Sequence, residues 1–376
     1  MRPRTVTDAT ANVLESQRAA AMHRRREARG AQTLAKRLGL RLVAADALTI
    51  RRRRCGKGWT YLDPDNRVIR ERATVRRLAR LAVPPAYADV LYAQDPAAHL
   101  QAVGRDAAGR LQYRYHPDWE KVREIRKARR LARLADVLPR IRRSVAQHLS
   151  GDAPTREFAS AAVIELVARS AIRPGTESYA RLRGTRGAAT LLKSNVTIYG
   201  ESITLTFRSK GGKTTVKEVN APRLAAAITL LRELPGRRLF QYRTASGDTR
   251  HVTAHEVNAF LREIAGVHIS LKDFRTLLAS ASVLETLAHI EPAASERQRR
   301  KQVLAAVRVA ADDLHNTPAI CRKSYVNGTV VAAFEEGVLE RFSQTLKECR
   351  SPLRRAQVLA KIIAAAAASA AFTNER

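Results

Sequence analysis

The segment from Asn316 to Tyr325 has the residue types for covalent chemistry. A polar side chain precedes a tyrosine by nine positions, and Arg322 and Lys323 lie shortly before that tyrosine. A phenol with an ordinary pKa of about 10 is a poor attacking group, so basic neighbours that stabilise its phenolate form would make it reactive. The corresponding chemistry is phosphoryl transfer to tyrosine. On spacing alone, a helix end followed by a tyrosine in the core is the better interpretation, and other stretches must decide.

The charge balance predicts a polyanionic partner. The 376 residues include 68 Lys and Arg against 35 Asp and Glu, which gives a formal net charge of +33. Charge of this size destabilises the compact state by self-repulsion and is neutralised on DNA, where counterion release favours binding. No stretch approaches the roughly 18 to 20 consecutive apolar residues that a membrane span requires. We therefore expect DNA as partner, no membrane, and a cytoplasmic, nucleoid-associated protein.

Changes in composition predict two domains with terminal extensions. Residues 1–37 are rich in Ala and Arg and form a basic extension. Residues 38–117 consist of short segments broken by Gly, Pro and Asp, which is typical of a small β-rich domain. Residues 118–348 show helical periodicity around a short island of strands, and residues 349–376 form an Ala-rich tail. The predicted fold class is α+β.

Local patterns predict the elements that must position any site. In the smaller domain we expect a hairpin of residues 58–62 and 67–70, a helix at 74–81 and a strand at 111–115. In the larger domain, strands are predicted at 196–199, 203–207 and 214–217, and helices at 221–234, 254–265, 271–290, 297–314 and 329–348.

Two longer motifs carry a resemblance to a known family. The run from His99 to His116 and the run Leu271-Lys272-Asp273-Phe274-Arg275-Thr276 resemble motifs of type IB DNA topoisomerases of the bacterial, poxvirus-like branch. The resemblance covers about residues 55–340. It implies the catalytic fold shared with tyrosine recombinases and a monomeric enzyme that relaxes supercoiled double-stranded DNA by transient single-strand cleavage. It also implies that the reaction uses neither ATP nor metal, and therefore no cofactor.

The resemblance implies a site of five side chains: Arg173, Lys210, Arg275, Asn316 and Tyr325. Tyr325 would form a 3′-phosphotyrosyl bond and release a 5′-hydroxyl, while both arginines would clamp the non-bridging oxygens. Lys210, on a hairpin turn, would be the general acid, a role that burial beside arginines would favour by lowering its pKa. Asn316 would donate a hydrogen bond to a non-bridging oxygen. Eukaryotic and poxvirus relatives carry His at that position, so proton transfer there does not apply to this chain.

The family also implies DNA contacts outside this site, with phosphate or groove contacts expected of such residues. The matching positions are Arg110, Gln112, Tyr113, Tyr115 and Tyr179. Packing within a sheet explains one of Tyr113 and Tyr115 about as well, since strand alternation would put both on one face and Arg114 on the other.

Some residues leave alternatives open. Leu111, Thr176 and Leu277 depart from the family pattern, and the departures concern the grip on DNA rather than the predicted catalytic residues. His315 is a rival for the polar position, although the nine-residue spacing to Tyr325 favours Asn316. The alternative functions are a tyrosine recombinase and a non-catalytic basic DNA-binding protein. The β-rich first domain argues against the recombinase, and the complete set of five residues argues against the binding protein.

Overall fold

The computed structural model describes residues 29–349 and 355–363, and the chain divides into two compact units between Arg126 and Lys127. This boundary falls inside a long helix, Trp119–His148. The domain boundary predicted from the sequence, near residue 117, lies just before that helix. Most of the predicted basic extension, residues 1–28, lies outside the described residues.

The first unit is built on a five-stranded antiparallel sheet, as its β-rich sequence predicted. In spatial order the strands are β2 (Gly58–Leu62), β1 (Ile50–Cys55), β3 (Ala88–Tyr92), β4 (Leu100–Arg105) and β5 (Leu111–Tyr115). Two helices accompany the sheet, α1 at residues 29–37 and α2 at Arg72–Arg80. Tyr61, Leu78 and Tyr92 are among the side chains of its buried core.

The predicted hairpin of residues 58–62 and 67–70 forms only next to its turn, and the strand partner of β2 is β1. β2 pairs with β1, with Cys55 opposite Gly58. The segment at 67–70 pairs with the end of β2 through an antiparallel bridge between Val68 and Leu62 and through a hydrogen bond from the Ile69 N–H to the Tyr61 carbonyl (2.9 Å). β1 escaped prediction because its sequence, IRRRRC, shows no apolar alternation.

The side chain of Arg52 anchors the basic strand β1 in the sheet. Its guanidinium donates hydrogen bonds to the carbonyls of Val83 (3.0 Å), Pro84 (2.8 Å) and Tyr87 (2.9 Å). The same group lies 4.0 Å from the ring centroid of Trp59, within the range of a cation–π contact. Arg52 is therefore a structural link between β1 and the loop before β3.

The second unit is mostly helical around a three-stranded antiparallel sheet, and the α+β fold class is confirmed. The sheet has the order β6 (Val196–Tyr199), β7 (Ser202–Arg208), β8 (Thr214–Asn220), and a separate pair joins β9 (Gln241–Arg243) to β10 (Thr249–His251). The helices are the part of α3 (Trp119–His148) that follows Arg126, together with α4 (Arg156–Ser170), α5 (Glu177–Arg183), α6 (Pro222–Glu233), α7 (Ala254–Ala265), α8 (Leu271–Ala288), α9 (Glu296–Asp313), α10 (Pro318–Ser324), α11 (Gly328–Glu335), α12 (Glu340–Lys347) and α13 at 355–363.

Helix α4 lies at the centre of the second unit. Phe158, Val163 and Leu166 are buried, as is most of the helix, which is typical of a helix that is apolar on all sides. The Thr155 side chain accepts a hydrogen bond from the Phe158 N–H (3.1 Å) and begins the helix. The helix ends at Ala171, whose φ of 54° is left-handed. This sharp ending directs the chain into Ile172 and the predicted site.

Two predictions near the carboxyl end need correction. The single helix expected at 329–348 is two helices, α11 and α12, because the intervening Gly337 takes a φ of 73° that ends a helix readily. Within the predicted Ala-rich tail, α13 buries Leu359 and Ile362 in the main core of the unit. The other tail residues, 350–354 and 364–376, lie outside the described part of the chain.

Across residues 29–349 and 355–363, no helix combines the length and apolar character that crossing a membrane requires. The same residues contain no group of three or more His, Cys, Asp or Glu side chains placed to hold a metal ion.

Candidate active site

Tyr325 lies at the carboxyl end of α10, in a largely buried position. Its N–H donates to the Cys321 carbonyl (2.9 Å), and only 9% of the residue is exposed. The Thr317 side chain caps the other end of α10 by accepting from the Ile320 N–H (3.3 Å). A short, capped helix therefore delivers the phenol into the core of the second unit instead of into solvent.

Arg275 is the charged group that faces this phenol. It lies in α8, is 2% exposed, and holds its guanidinium carbon 4.8 Å from the centroid of the Tyr325 ring. The guanidinium donates to the carbonyl of Ala171 and to that of Leu314 (3.3 Å). These carbonyls come from the end of α4 and the end of α9, so three helices fix one arginine.

The arginines change the acidity of Tyr325. Burial opposes ionisation of the phenol, but the positive charge of Arg275, its hydrogen bond to the phenol, and the charges of Arg173 and Lys272 outweigh burial, so the Tyr325 pKa falls below 10.0. Burial lowers the pKa of Arg275, and the neighbouring Tyr325 opposes that change. The site therefore makes the phenolate easier to form than it is in an unperturbed tyrosine, and the phenolate is the more reactive nucleophile.

Arg173 and Asn316 meet at the same site. An Arg173 guanidinium nitrogen donates to Asn316 Oδ1 across 2.6 Å. The Asn316 Nδ2 atom is buried and has no hydrogen-bond partner among the described residues. The side chain thus orients an arginine with its oxygen while keeping an amide donor for another acceptor.

Two glycines allow the close chain contacts that place Arg173. Gly175 has a φ of 81°, and a Cβ at Gly187 would lie 2.4 Å from the Arg173 carbonyl oxygen. The Ala188 N–H donates to that carbonyl (2.8 Å). Larger side chains at either glycine would push apart the two backbone segments.

Lys210 does not join this cluster in the structure. It lies in the turn between β7 and β8, as predicted, and is exposed, so the burial that would favour a general acid is absent here. Gly211 and Gly212 follow it with φ values of 86° and 77°, so the turn extends from the sheet without packing the lysine side chain. No hydrogen bond recorded for the described residues joins Lys210 to Arg173, Arg275 or Asn316.

Asp273 holds the amino end of the helix that carries Arg275. Its Oδ2 accepts from both the N–H and the hydroxyl of Ser270, each at 2.8 Å, and Oδ1 lies 3.7 Å from an Arg130 guanidinium nitrogen. The Asp273 residue is 7% exposed. A buried carboxylate with several donors is costly to remove because the donors lose their partner.

We expect Asp273→Ala to destabilise the protein by about 2 kcal/mol, from loss of the helix cap and of the buried acceptor. The measurement is thermal unfolding followed by circular dichroism. Asp136→Ala, at an exposed position of α3, is the matched control and should leave the midpoint nearly unchanged. Equal midpoints for both variants would contradict the role given to Asp273.

Comparisons with known proteins agree with this geometry. Residues 116–353 match the family model described as eukaryotic DNA topoisomerase I, catalytic core, and residues 58–106 match the one described as bacterial DNA topoisomerase IB, N-terminal domain. The chain belongs to the type IB DNA topoisomerases. DNA topoisomerase 1B of Acanthamoeba polyphaga mimivirus is 28% identical over 284 residues, which cover 74% of this chain and 84% of the viral protein.

As a member of this family, the chain is an isomerase that acts on DNA and changes its supercoiling. The two family models match separate stretches, one in each predicted domain. Both are topoisomerase models, so the comparisons favour this function over the tyrosine recombinase and the non-catalytic binding protein.

Four of the five predicted DNA-contacting residues of this topoisomerase fall on β5 and the turn before it, in the first unit. Tyr113 and Tyr115 are 45% and 40% exposed, and their rings stack with centroids 6.2 Å apart. Arg114 points elsewhere and donates to the Ala82 carbonyl (3.2 Å). The predicted placement of both tyrosines on one face is confirmed.

Arg110 and Gln112 share one carboxylate, that of Asp106. Arg110 Nε and Gln112 Nε2 each donate to Asp106 Oδ2 across 2.9 Å. These bonds, that of Arg110 above all, lower the Asp106 pKa to about 2. Asp106 therefore stays ionised near neutral pH and orients both side chains.

Tyr179 lies apart from these residues, on α5 in the second unit. It is 49% exposed, and the guanidinium carbon of Arg183 lies 5.6 Å from its ring centroid. The structure therefore leaves an aromatic face and a cation open on one short helix of the topoisomerase.

Two residues near the site were missed or undervalued from the sequence. Lys272, to which the sequence assigned no separate role, is one of the charges that lower the Tyr325 pKa. Arg186 lines a cavity of about 10 Å³ together with Arg173 and Arg275. The signal for Lys272 was its spacing of three from Arg275, which places both on neighbouring turns of one helix. Arg186 lies in a loop and gave no comparable signal.

Proposed function

We propose that this topoisomerase relaxes supercoiled duplex DNA through a covalent bond between Tyr325 and a 3′-phosphate. The Tyr325 Oη attacks phosphorus, the bond from phosphorus to the 5′-oxygen breaks, and a 5′-hydroxyl leaves. The same hydroxyl later attacks the phosphotyrosine and restores both the DNA strand and the phenol. Because the covalent bond conserves the energy of the phosphodiester, religation needs neither ATP nor a metal ion.

The observation that carries this proposal is the buried pair of Tyr325 and Arg275. A tyrosine that only filled the core would not require a guanidinium 4.8 Å from its ring. Burial of an arginine costs desolvation free energy, so a buried arginine indicates a function. In the proposal, Arg275 and Arg173 bind the non-bridging oxygens as charge develops. Asn316 Nδ2, which lacks a partner among the described residues, donates to one of those oxygens.

Lys210 completes the reaction as the general acid. Proton transfer requires a group within hydrogen-bond reach of the departing 5′-oxygen, but catalytic hydrogen bonds often form only when the substrate binds. The exposed turn with Gly211 and Gly212 permits such a movement, and the phosphates of bound DNA attract the lysine. Lys210 would donate its proton during cleavage and recover it during religation.

DNA binding in this proposal uses the aromatic and basic residues outside the catalytic cluster. We assign Arg110, Gln112, Tyr113, Tyr115 and Tyr179 to phosphate or groove contacts. We also propose that the protein acts as a monomer, since all five catalytic residues come from one chain, and that it works in the cytoplasm on the nucleoid.

Relaxation of a supercoiled plasmid in EDTA without ATP tests the proposed function. We expect a ladder of topoisomers that ends in relaxed plasmid for both negative and positive supercoils, and the product should persist after the protein is digested. The assay is run across a salt series, because binding by so basic a protein weakens steeply with salt. A change in mobility that disappears on digestion, or relaxation that requires ATP or Mg²⁺, would contradict the proposal.

A further inference from the structure

The main chain around Tyr325 is held by a buried side chain that the reaction itself does not use. Ser280 is 0% exposed. Its hydroxyl donates to the Tyr325 carbonyl (3.1 Å) and accepts from the Asn327 N–H (3.0 Å). One hydroxyl therefore satisfies two backbone groups on either side of Val326, and both of its hydrogen-bonding functions are in use.

Ser280 and Arg275 lie on the same helix, α8, five residues apart. With a rise of about 1.5 Å per residue, they are separated by roughly 7.5 Å along the axis. Arg275 contacts the ring of Tyr325, whereas Ser280 contacts its carbonyl. A single rigid element thus fixes both the side chain and the main chain of one residue.

Other hydrogen bonds hold the residues that follow Tyr325. Lys127 Nζ donates to the Val326 carbonyl (2.8 Å), and Asn327 Oδ1 accepts from the Thr329 N–H (2.9 Å) at the start of α11. The Tyr325 carbonyl itself accepts only from Ser280 among the hydrogen bonds recorded for the described residues. Removal of the Ser280 hydroxyl would therefore free the Tyr325 carbonyl and leave the Asn327 N–H without its acceptor, while the Tyr325 N–H stays bonded to the Cys321 carbonyl.

We propose that Ser280 is a positioning residue for the nucleophile, which holds the Tyr325 main chain so that its phenol stays against Arg275 before DNA arrives. The inference rests on the assignment of Tyr325 as nucleophile. The phenol must lie in line with the scissile bond, and a displacement of about 1 Å can reduce the cleavage rate by about 100-fold.

The test compares Ser280→Ala and Ser280→Cys with the wild type in single-turnover reactions on supercoiled plasmid, with enzyme in excess and a detergent quench. Formation of the covalent complex should be fastest for Ser, intermediate for Cys and slowest for Ala. Cys keeps the shape but bonds weakly, and we expect a loss of about 100-fold for Ala. Plasmid affinity should be unchanged, since the hydroxyl is buried away from DNA.

The matched control is Ser160→Ala. Ser160 is a buried serine of α4, 1% exposed, whose hydroxyl has no hydrogen-bond partner among the described residues. It should retain the wild-type cleavage rate. If Ser280→Ala fails to fold in a thermal melt, the Cys variant, which keeps the core volume, decides the question.

The pH profile separates positioning from a general structural role. Once Tyr325 is released from Arg275, the phenol pKa should rise toward its ordinary value, so the acidic limb of the cleavage rate should move to higher pH. An unshifted limb with wild-type rates in the Ala and Cys variants would overturn this inference alone. Cleavage that persists in Tyr325→Phe would instead overturn the nucleophile assignment on which the inference rests.

Discussion

Tyr325→Phe should abolish plasmid relaxation, with a loss of more than about 10⁴-fold, because no other group replaces the attacking oxygen. The substitution removes one oxygen atom and leaves the ring beside Arg275, so the fold and the plasmid affinity should be retained. Relaxation is measured with a time course on supercoiled plasmid, and binding is measured in parallel by gel shift at the same salt concentration.

The control for this substitution is Tyr199→Phe. Tyr199 is 89% exposed at the end of β6 and belongs to neither the catalytic cluster nor the predicted DNA contacts, so its variant should relax plasmid at the wild-type rate. Residual relaxation by Tyr325→Phe at more than a few per cent of wild type, in a preparation free of other topoisomerases, would assign the nucleophile to another residue.

Arg275→Lys should lower the cleavage rate by about 10²–10³-fold, although the positive charge is kept. The guanidinium holds the Ala171 and Leu314 carbonyls and still presents a face to Tyr325. A lysine has one nitrogen and cannot reproduce that planar arrangement. Cleavage is measured under single-turnover conditions, and plasmid affinity should change much less than the rate.

Arg275→Met adds a prediction about pH. The Tyr325 pKa is held below its usual value by positive charge despite burial, so the phenolate form is reached at lower pH. Without the guanidinium the pKa rises, and the acidic limb of the cleavage rate should shift to higher pH. Arg223→Lys, at an exposed position of α6, serves as the control. An unshifted limb in Arg275→Met would mean that Arg275 does not set the acidity of Tyr325.

Much of the larger unit could be predicted because its sequence patterns are local. Helices α6 to α9 follow apolar periodicity, and α7 also has a clear cap, the Thr253 side chain that accepts from the Glu256 N–H (3.2 Å). The sheet of β6 to β8 follows alternation between glycine turns. A helix break that depends on one backbone angle, such as the break at Gly337, is hard to predict from sequence because glycine is also tolerated within helices.

Some features of the site could likewise be predicted from the sequence, whereas others could not. Residue types, chain order and the family resemblance predict Tyr325, Arg275 and Asn316 as site residues, and the structure places Arg275 beside Tyr325 and Arg173 beside Asn316. Sequence could not show that Asn316 orients Arg173, because that bond joins residues far apart in the chain. Nor could it show that Ser280 holds the Tyr325 carbonyl, since a buried serine in an apolar helix pattern has no feature that distinguishes it. Lys210 illustrates the opposite case, in which the family resemblance implied a place among the five site residues and the structure shows an exposed lysine outside the cluster.

The most direct test of the central claim is to locate the covalent bond between protein and DNA. Reactions on plasmid are stopped with detergent, digested with nuclease and trypsin, and analysed by mass spectrometry. The expected tryptic peptide, residues 324–341, contains Tyr325 as its sole tyrosine. We predict a nucleotide attached to that peptide through a 3′-phosphate on Tyr325. A nucleotide on any other residue, or one attached through a 5′-phosphate, would contradict the mechanism proposed for this enzyme.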